Sequence, residues 1–346
     1  MSWSKGRTVR RIGTFLAGLG LMTSGLFSAQ IFKYKKSQPE KGHLIQTVPF
    51  EKWLKLNYCG PACLAMVLNS WDKTRSFSQR KIADEIYDSG SRATNNSELV
   101  LYPRTQGFES YSFQGNLDIL KDLIKQDIPV IVLTKTIKQL AKGHYRVVVG
   151  FDDDEGEIIF HDPFFGGRCA MKTKSFMKVW ELGRGRNQSR WMMAVVPGQS
   201  TFPFPALQND PLTSINLATA YYRRSDFVKS REQWEKVRES LSQDPYPLYS
   251  LGMVSLKQGK LDEAEAYALE ALGVDAKSAY AHDVLGLAYA NQGRTLPALQ
   301  SLGQALQLAR KEGFIRTHYL QVRAIYIEKA RLEYNQKKEK SNEKTG

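Results

Sequence analysis

One stretch constrains this chain more than any other: Asn57-Tyr58-Cys59-Gly60-Pro61-Ala62-Cys63-Leu64-Ala65-Met66-Val67-Leu68. Proline fits the first turn of a helix and fixes φ there, and the apolar residues behind it keep helical spacing. The pattern predicts a helix from Pro61 to about Trp71, with Cys59 at its N-terminus. Unpaired N–H groups and the helix dipole favour an anion at such a position. A thiol there is drawn toward the thiolate, which is the nucleophilic form. The chain also carries a base, His144 in Gly143-His144-Tyr145-Arg146-Val147-Val148-Val149-Gly150. It carries a carboxylate to orient that base, Asp162 in Phe160-His161-Asp162-Pro163. Cysteine, histidine and aspartate in that order suit a catalytic triad. His161 points to the opposite face of an alternating strand and reads as packing or surface.

These residues resemble the papain-like bacteriocin-processing peptidases, whose members cut leader peptides after a double glycine. The closer likeness is to stand-alone members that lack the transporter half. The resemblance rests on Cys59-Gly60-Pro61-Ala62, Gly143-His144 and Asp162-Pro163, and spans roughly residues 45–198. It implies an α+β papain-like cysteine peptidase domain, with Cys59 as nucleophile, His144 as general base and Asp162 as its orienter. One position departs from the family pattern. Six residues before the cysteine the family has a glutamine that helps hold the oxyanion, and here that position is Trp53. The Trp53 indole N–H and the Asn57 amide are the remaining oxyanion candidates. Losing one oxyanion donor typically costs about a hundredfold or more in rate.

At 346 residues the chain has room for two ordinary domains. The net charge of +14 is uneven. Residues 1–43 hold eight Lys/Arg and one acidic residue, 44–209 hold 21 and 17, and 210–346 hold 20 and 17. Half of the excess thus sits in the short N-terminal segment, as charge flanking a membrane segment. No nucleic-acid groove or module is recognisable. Between Ile12 and Ala29 the chain is apolar and uncharged, preceded by Lys5, Arg7, Arg10 and Arg11. Residues 1–30 therefore read as a signal anchor or signal peptide, transmembrane if uncleaved. The stronger basic cluster precedes the run, which places the bulk of the chain on the extracytoplasmic side. In a bacterium that means membrane-anchored or exported, at the inner membrane and periplasm.

Residues 31–44 read as a Lys-rich tether. The domain at 45–198 then opens with helices, the Cys59 helix followed by one capped by Ser78 and one capped by Asn116. Ser97 is a candidate cap in a stretch of loop and short helix between them. Strands follow at Val130–Leu133, Tyr145–Phe151, Glu157–Phe160 and about Arg190–Val196. Helices first and antiparallel strands afterwards is an α+β order. Asp152–Glu155 reads as a solvated hairpin turn, since its spacing fits no calcium loop. Three cysteines without CxxC pairs suggest no zinc site, and no cofactor is implied. Cys63 reads as a small buried hydrophobe on the inner face of its helix.

Residues 199–211 are Pro-rich and read as a linker. Beyond them a period of 34 residues appears. Leu251-Gly252 recurs as Leu285-Gly286, Gly259 as Gly293, Ala264 as Ala298 and Ala271 as Ala305. This resembles the tetratricopeptide repeat, a helix pair per unit. An all-α solenoid of three repeats and a charged capping helix is expected over 212–336, with 337–346 as a disordered polar tail. Its surface suits a protein partner.

Three functions follow as expectations. The first is a membrane-anchored cysteine peptidase acting on a peptide or protein substrate. The second is a peptidase-like binding scaffold that catalyses weakly or not at all. The third is a thiol acyltransferase that passes the acyl group to an amine or alcohol.

Overall fold

The computed structural model describes residues 33–34, 38–135, 143–181, 189–309 and 313–342. The expected anchor at 1–30 lies outside them. Among the described residues no helix is long and apolar enough to cross a membrane.

After the short β1 (Lys33–Tyr34) and β2 (Gly42–Leu44) come α1 (Cys59–Trp71), α2 (Gln79–Ile86), β3 (Tyr87–Asp88) and β4 (Ala93–Thr94). Then follow α3 (Asn96–Thr105), β5 (Phe108–Gln114), α4 (Leu117–Lys125), β6 (Val130–Thr134), β7 (His144–Asp152) and β8 (Glu157–Asp162). β9 (Gly166–Lys172), α5 (Thr173–Trp180) and β10 (Trp191–Pro197) complete the α/β part. The long strands lie in the order β9-β8-β7-β6-β10-β5, with β2 paired to β7. The described pairs between these strands are antiparallel.

α1 is apolar around almost its whole circumference, and such a helix must be buried. Residues Cys59 to Leu68 are all buried, and the helix lies against β7 and β10. β7 and β8 are buried along their full length. The core therefore sits where α1 meets the centre of the sheet. The expected caps at Ser78 and Asn116 form, accepting from the N–H of Arg80 and Ile119. Ser97 is not a cap: it is buried inside α3, which starts after Asn95.

Residues 31–44 read as a tether, yet Gly42–Leu44 pairs with Gly150–Asp152 of β7. Glycine permits this approach, because a Cβ at position 42 would stand 2.2 Å from the Phe151 carbonyl oxygen. Residues 199–211 are docked as well, since Phe202 is buried with its ring stacked on Tyr111 at 4.4 Å. α6 (Pro205–Gln208) follows.

The remaining helices come in pairs: α7 (Pro211–Arg223) with α8 (Phe227–Ser240), α9 (Pro245–Lys257) with α10 (Leu261–Val274), and α11 (Ala279–Asn291) with α12 (Thr295–Leu308). The 34-residue period has a packing cause. A Cβ on Gly252 would meet Val284 at 2.8 Å and one on Gly286 would meet Leu302 at 2.5 Å, so only glycine lets these helices close. Ala264, Ala271, Ala298 and Ala305 are fully buried at the same crossings. The first repeat looks degenerate in sequence but keeps the geometry. Ser230 occupies the buried place of Ala264, and Ser225 takes φ 60° where Gly259 and Gly293 take 74° and 79°. α13 (Gly313–Asn342) runs into the residues expected as a disordered tail. Lys337, Lys338, Glu339 and Lys340 are good helix formers that prolong a helix once it is nucleated.

The solenoid joins the α/β part through α7, which packs on α3 and β5. β5 is an edge strand, and an unpaired strand edge exposes N–H and C=O groups. The Thr213 hydroxyl accepts from the Ser112 N–H at 2.9 Å and donates to the Ser112 carbonyl at 3.0 Å. Asn216 adds a bond to the Ser112 hydroxyl, and Arg224 bonds the buried Glu98 carboxylate through Nε and Nη2. Thr213→Val keeps the shape but orphans both backbone groups of Ser112. It is expected to lower unfolding stability by about 2 kcal/mol in a denaturant titration. A loss within about 0.3 kcal/mol would show that water satisfies this edge.

Candidate functional site

The site is assembled by α1, β7 and β8. Cys59 is the first residue of α1, and no side chain caps that helix. The N-terminal turn is thus left open toward the sulfur, to which the Gly60 N–H donates. Gly60 permits the placement, because a Cβ there would stand 2.9 Å from the Thr94 Cβ. β7 begins at His144, directly after Gly143, whose φ of 105° is open only to glycine. The Tyr145 N–H donates to the Cys59 sulfur, so the start of β7 meets the start of α1.

Cys59, His144 and Asp162 come together. The His144 ring hydrogen-bonds the Cys59 side chain, and His144 Nε2 donates to Asp162 Oδ1 at 2.8 Å. Nδ1 is therefore the ring nitrogen left for the sulfur. Asp162 is completely buried and accepts four hydrogen bonds. Oδ1 receives His144 Nε2 and the N–H groups of Phe164 and Phe165, at 2.9 and 3.2 Å. Oδ2 receives Arg146 Nε at 2.7 Å.

Charge follows from this geometry. Burial works against the Asp162 carboxylate, but the His144 charge and hydrogen bond, then those of Arg146, hold its pKa far below the usual range. Burial likewise works against the imidazolium. The Asp162 charge and hydrogen bond, then Cys59, outweigh it and hold His144 at about 9. For Cys59 burial is again the largest effect and opposes the thiolate. The His144 hydrogen bond and charge, with the N–H groups of Tyr145 and Gly60, bring the net pKa below that of an ordinary thiol. The arrangement therefore favours a thiolate–imidazolium pair. Cys63 and Cys169 behave otherwise, since burial pushes Cys63 well up and Cys169 to about 11. All three cysteines are free thiols.

The two expected oxyanion candidates have different surroundings. The Trp53 ring meets the His144 imidazole edge-on at 5.8 Å and tilts against Phe164 at 5.1 Å. Its backbone N–H donates to the Pro163 carbonyl at 3.0 Å. Trp53 is thus a wall on the imidazole side. Asn57 takes the left-handed φ of 70°, which asparagine tolerates better than most residues. His161 stands apart from the site. Its Nε2 donates to the Val48 carbonyl and its Nδ1 accepts the Arg168 N–H. Burial, the largest effect, lowers its pKa to about 4, so it stays a neutral structural group. No group of His, Cys, Asp and Glu able to hold a metal occurs among the described residues.

Sequence reasoning missed Arg146, Thr134 and Tyr145. Arg146 is buried, with Nη1 donating to Thr134 Oγ1 at 2.6 Å and its guanidinium over the Phe160 ring at 5.2 Å. The Thr134 hydroxyl donates to the His144 carbonyl at 3.0 Å. The signal was present: Arg146 is the one cation in an apolar strand, two residues after His144 and so on the same face. The buried Tyr145 hydroxyl meets the Thr94 carbonyl and Asn96 Oδ1, at 3.1 and 2.5 Å, tying β7 to the start of α3.

Comparison with known proteins agrees with this architecture. Residues 45–187 match the model of the Peptidase_C39 like family, and residues 246–278 match the tetratricopeptide repeat. The chain thus carries a Peptidase_C39-like domain followed by tetratricopeptide repeats. Among solved structures, the peptidase domain of Streptococcus ComA, a bi-functional ABC transporter involved in a quorum sensing pathway, is 21% identical with a TM-score of 0.36. The match covers 43% of this chain and 98% of that one. The Sgt2 tetratricopeptide domain of Aspergillus fumigatus is 16% identical with a TM-score of 0.33, covering 35% of this chain and 82% of that one. The second tetratricopeptide domain of human RPAP3, solved with an HSP70 peptide, is 17% identical with a TM-score of 0.30, covering 33% and 94%. No curated protein matches the chain.

Iodoacetamide labelling of the full chain across pH is expected to single out Cys59, with a midpoint below that of an ordinary thiol. His144→Ala removes the imidazolium and leaves the burial, so the midpoint should climb to or above the ordinary value of about 8.5. An unchanged midpoint in that variant would sink the ion pair.

Proposed function

We propose that this protein is a membrane-anchored or exported cysteine peptidase that cleaves a peptide or protein substrate through Cys59, His144 and Asp162. The observation that carries the reading is the geometry: a sulfur at an open helix N-terminus, bonded to an imidazole whose other nitrogen holds a buried carboxylate. In this reading the Cys59 thiolate attacks the scissile carbonyl carbon and a C–S bond forms. The His144 imidazolium gives its Nδ1 proton to the leaving amine as the C–N bond breaks. Imidazole then takes a proton from water, which attacks the thioester and frees the acid and the thiol. Asp162 keeps Nε2 protonated, so that Nδ1 faces the sulfur throughout.

The Cys59 N–H and the Asn57 amide are the groups proposed to hold the oxyanion. Asn57 has the better claim of the two side chains, because Trp53 is engaged with the imidazole and Phe164. The repeats would hold a protein partner or present the substrate, and the apolar run before residue 30 supports the anchor. Thioester chemistry also admits an amine or alcohol as acceptor in place of water, giving a transferase. The Trp53 substitution keeps the binding-scaffold reading as the alternative.

The test is a proteome-derived peptide library incubated with the full chain in ¹⁸O-water, with new termini read by mass spectrometry. Hydrolysis puts ¹⁸O on the new C-termini, and Cys59→Ala abolishes them. Products carrying an added amine or alcohol would show transfer, and no Cys59-dependent products would favour the scaffold. Where cleavage is found, Asn57→Ala is expected to lower kcat by about a hundredfold with little change in KM.

A further inference from the structure

Arg146 is a buried cation that the proposed chemistry does not use. It closes a ring of contacts around the imidazole. Its Nε bonds the one oxygen of Asp162 that His144 does not touch, at 2.7 Å. Its Nη1 bonds Thr134 Oγ1, whose proton goes to the carbonyl of His144 itself. Strand pairing fixes the members independently: Thr134 faces His144 and Val132 faces Arg146 across β6 and β7. Val147 faces His161 across β7 and β8, which brings Arg146 opposite Asp162.

We infer that Arg146 is a positioning residue acting through Asp162. It anchors one carboxylate oxygen so that the other stays on His144, and its charge tempers how strongly Asp162 holds the proton on the imidazole. This rests on the proposed Cys59–His144 pair.

The physical argument has two parts. A carboxylate held by four donors cannot rotate, and the planar guanidinium directs separate N–H groups, Nε and Nη1, at Asp162 and Thr134, a fixed fork that a flexible ammonium lacks. The second part is electrostatic. An Asp162 carboxylate with His144 as its sole cation would hold the imidazolium proton tightly and make it a poor acid toward a leaving amine. Sharing that charge with a permanent cation weakens the hold. The titratable groups facing the pair are Cys59 and Cys63 on α1, Tyr145 and Arg146 on β7, Asp162 on β8 and Cys169 on β9.

The sign follows. Arg146→Met removes a positive charge beside the pair. Deprotonating the Cys59 thiol and deprotonating the imidazolium then both become harder. Both limbs of the pH–rate profile for Cys59 alkylation should therefore move to higher pH, by about half a unit or more. Arg146→Lys restores the charge and should return both limbs. Its plateau rate should stay about threefold or more below wild type, because Lys lacks the fixed fork that aims one donor at each partner. Thr134→Val keeps all charges and frees Nη1. It should leave the limbs in place and lower the plateau in the same way.

The experiment measures alkylation rate against pH for wild type, His144→Ala and the three variants, with a thermal melt of each. If wild type and His144→Ala react alike, the nucleophile pair fails and this inference falls with it. If they differ but folded Arg146→Met keeps both limbs within about 0.2 unit of wild type, only the role of Arg146 is overturned and it is a packed core ion pair. Should Arg146→Met not fold, wild-type plateau rates in both Arg146→Lys and Thr134→Val overturn it equally.

Discussion

Asp162 is a carboxylate with no access to water, and the α/β part is arranged so that it can exist there. An unpaired charge at that depth is strongly disfavoured, while a matched one needs every lone pair engaged. Two donors come from β7 and two from the turn after β8. This fixes the register of the two central strands with respect to each other. It also fixes the imidazole, and through it the place where α1 must present its first residue. The same carboxylate makes His144 a stable cation, and that cation brings the Cys59 thiol below its ordinary pKa against the opposing burial. The charge cluster and the packing of the core are one electrostatic arrangement.

A second constraint joins the two parts of the molecule. The sheet ends in β5, whose outer edge would otherwise stand open. The first repeat helix closes it at Ser112 with side-chain groups in place of another strand. The helix that closes the edge also carries Arg224 onto Glu98, at the start of α3. That helix is in turn held to β7 through Asn96 and Tyr145. The solenoid is therefore built onto the α/β part. A partner held by the repeats would stand at a defined position relative to Cys59.

The cysteine, histidine and aspartate that the structure brings together and the repeat period were legible in the amino-acid order because each depends on local requirements. A cysteine before Gly-Pro and an apolar helix, a histidine opening a strand after glycine, and small residues every 34 positions all leave their mark on the sequence. Three elements did not. β5 hides its alternation because its inward residues include Ser110 and Ser112, polar groups held by the Val100 carbonyl of the preceding helix and by Asn216 of α7, which is remote in sequence. β9 begins with two glycines and an arginine, and it is a strand because β8 needs a neighbour. Helix α5 follows β9 directly, with no turn signal in the sequence between them.

The sequence by itself determined which residue types the site would contain, where the solenoid begins its repeats, and that the Cys59 helix must be buried. These follow from spacing and hydrophobicity along a single segment. Tertiary structure decided the rest. It packed the Trp53 ring against His144, gave His161 its partners at Val48 and Arg168, and brought Arg146 and Thr134 to the Asp162 carboxylate. Those outcomes depend on distances between segments and on the loss of water around charges. Neither exists until the sheet has formed and α1 has closed over it.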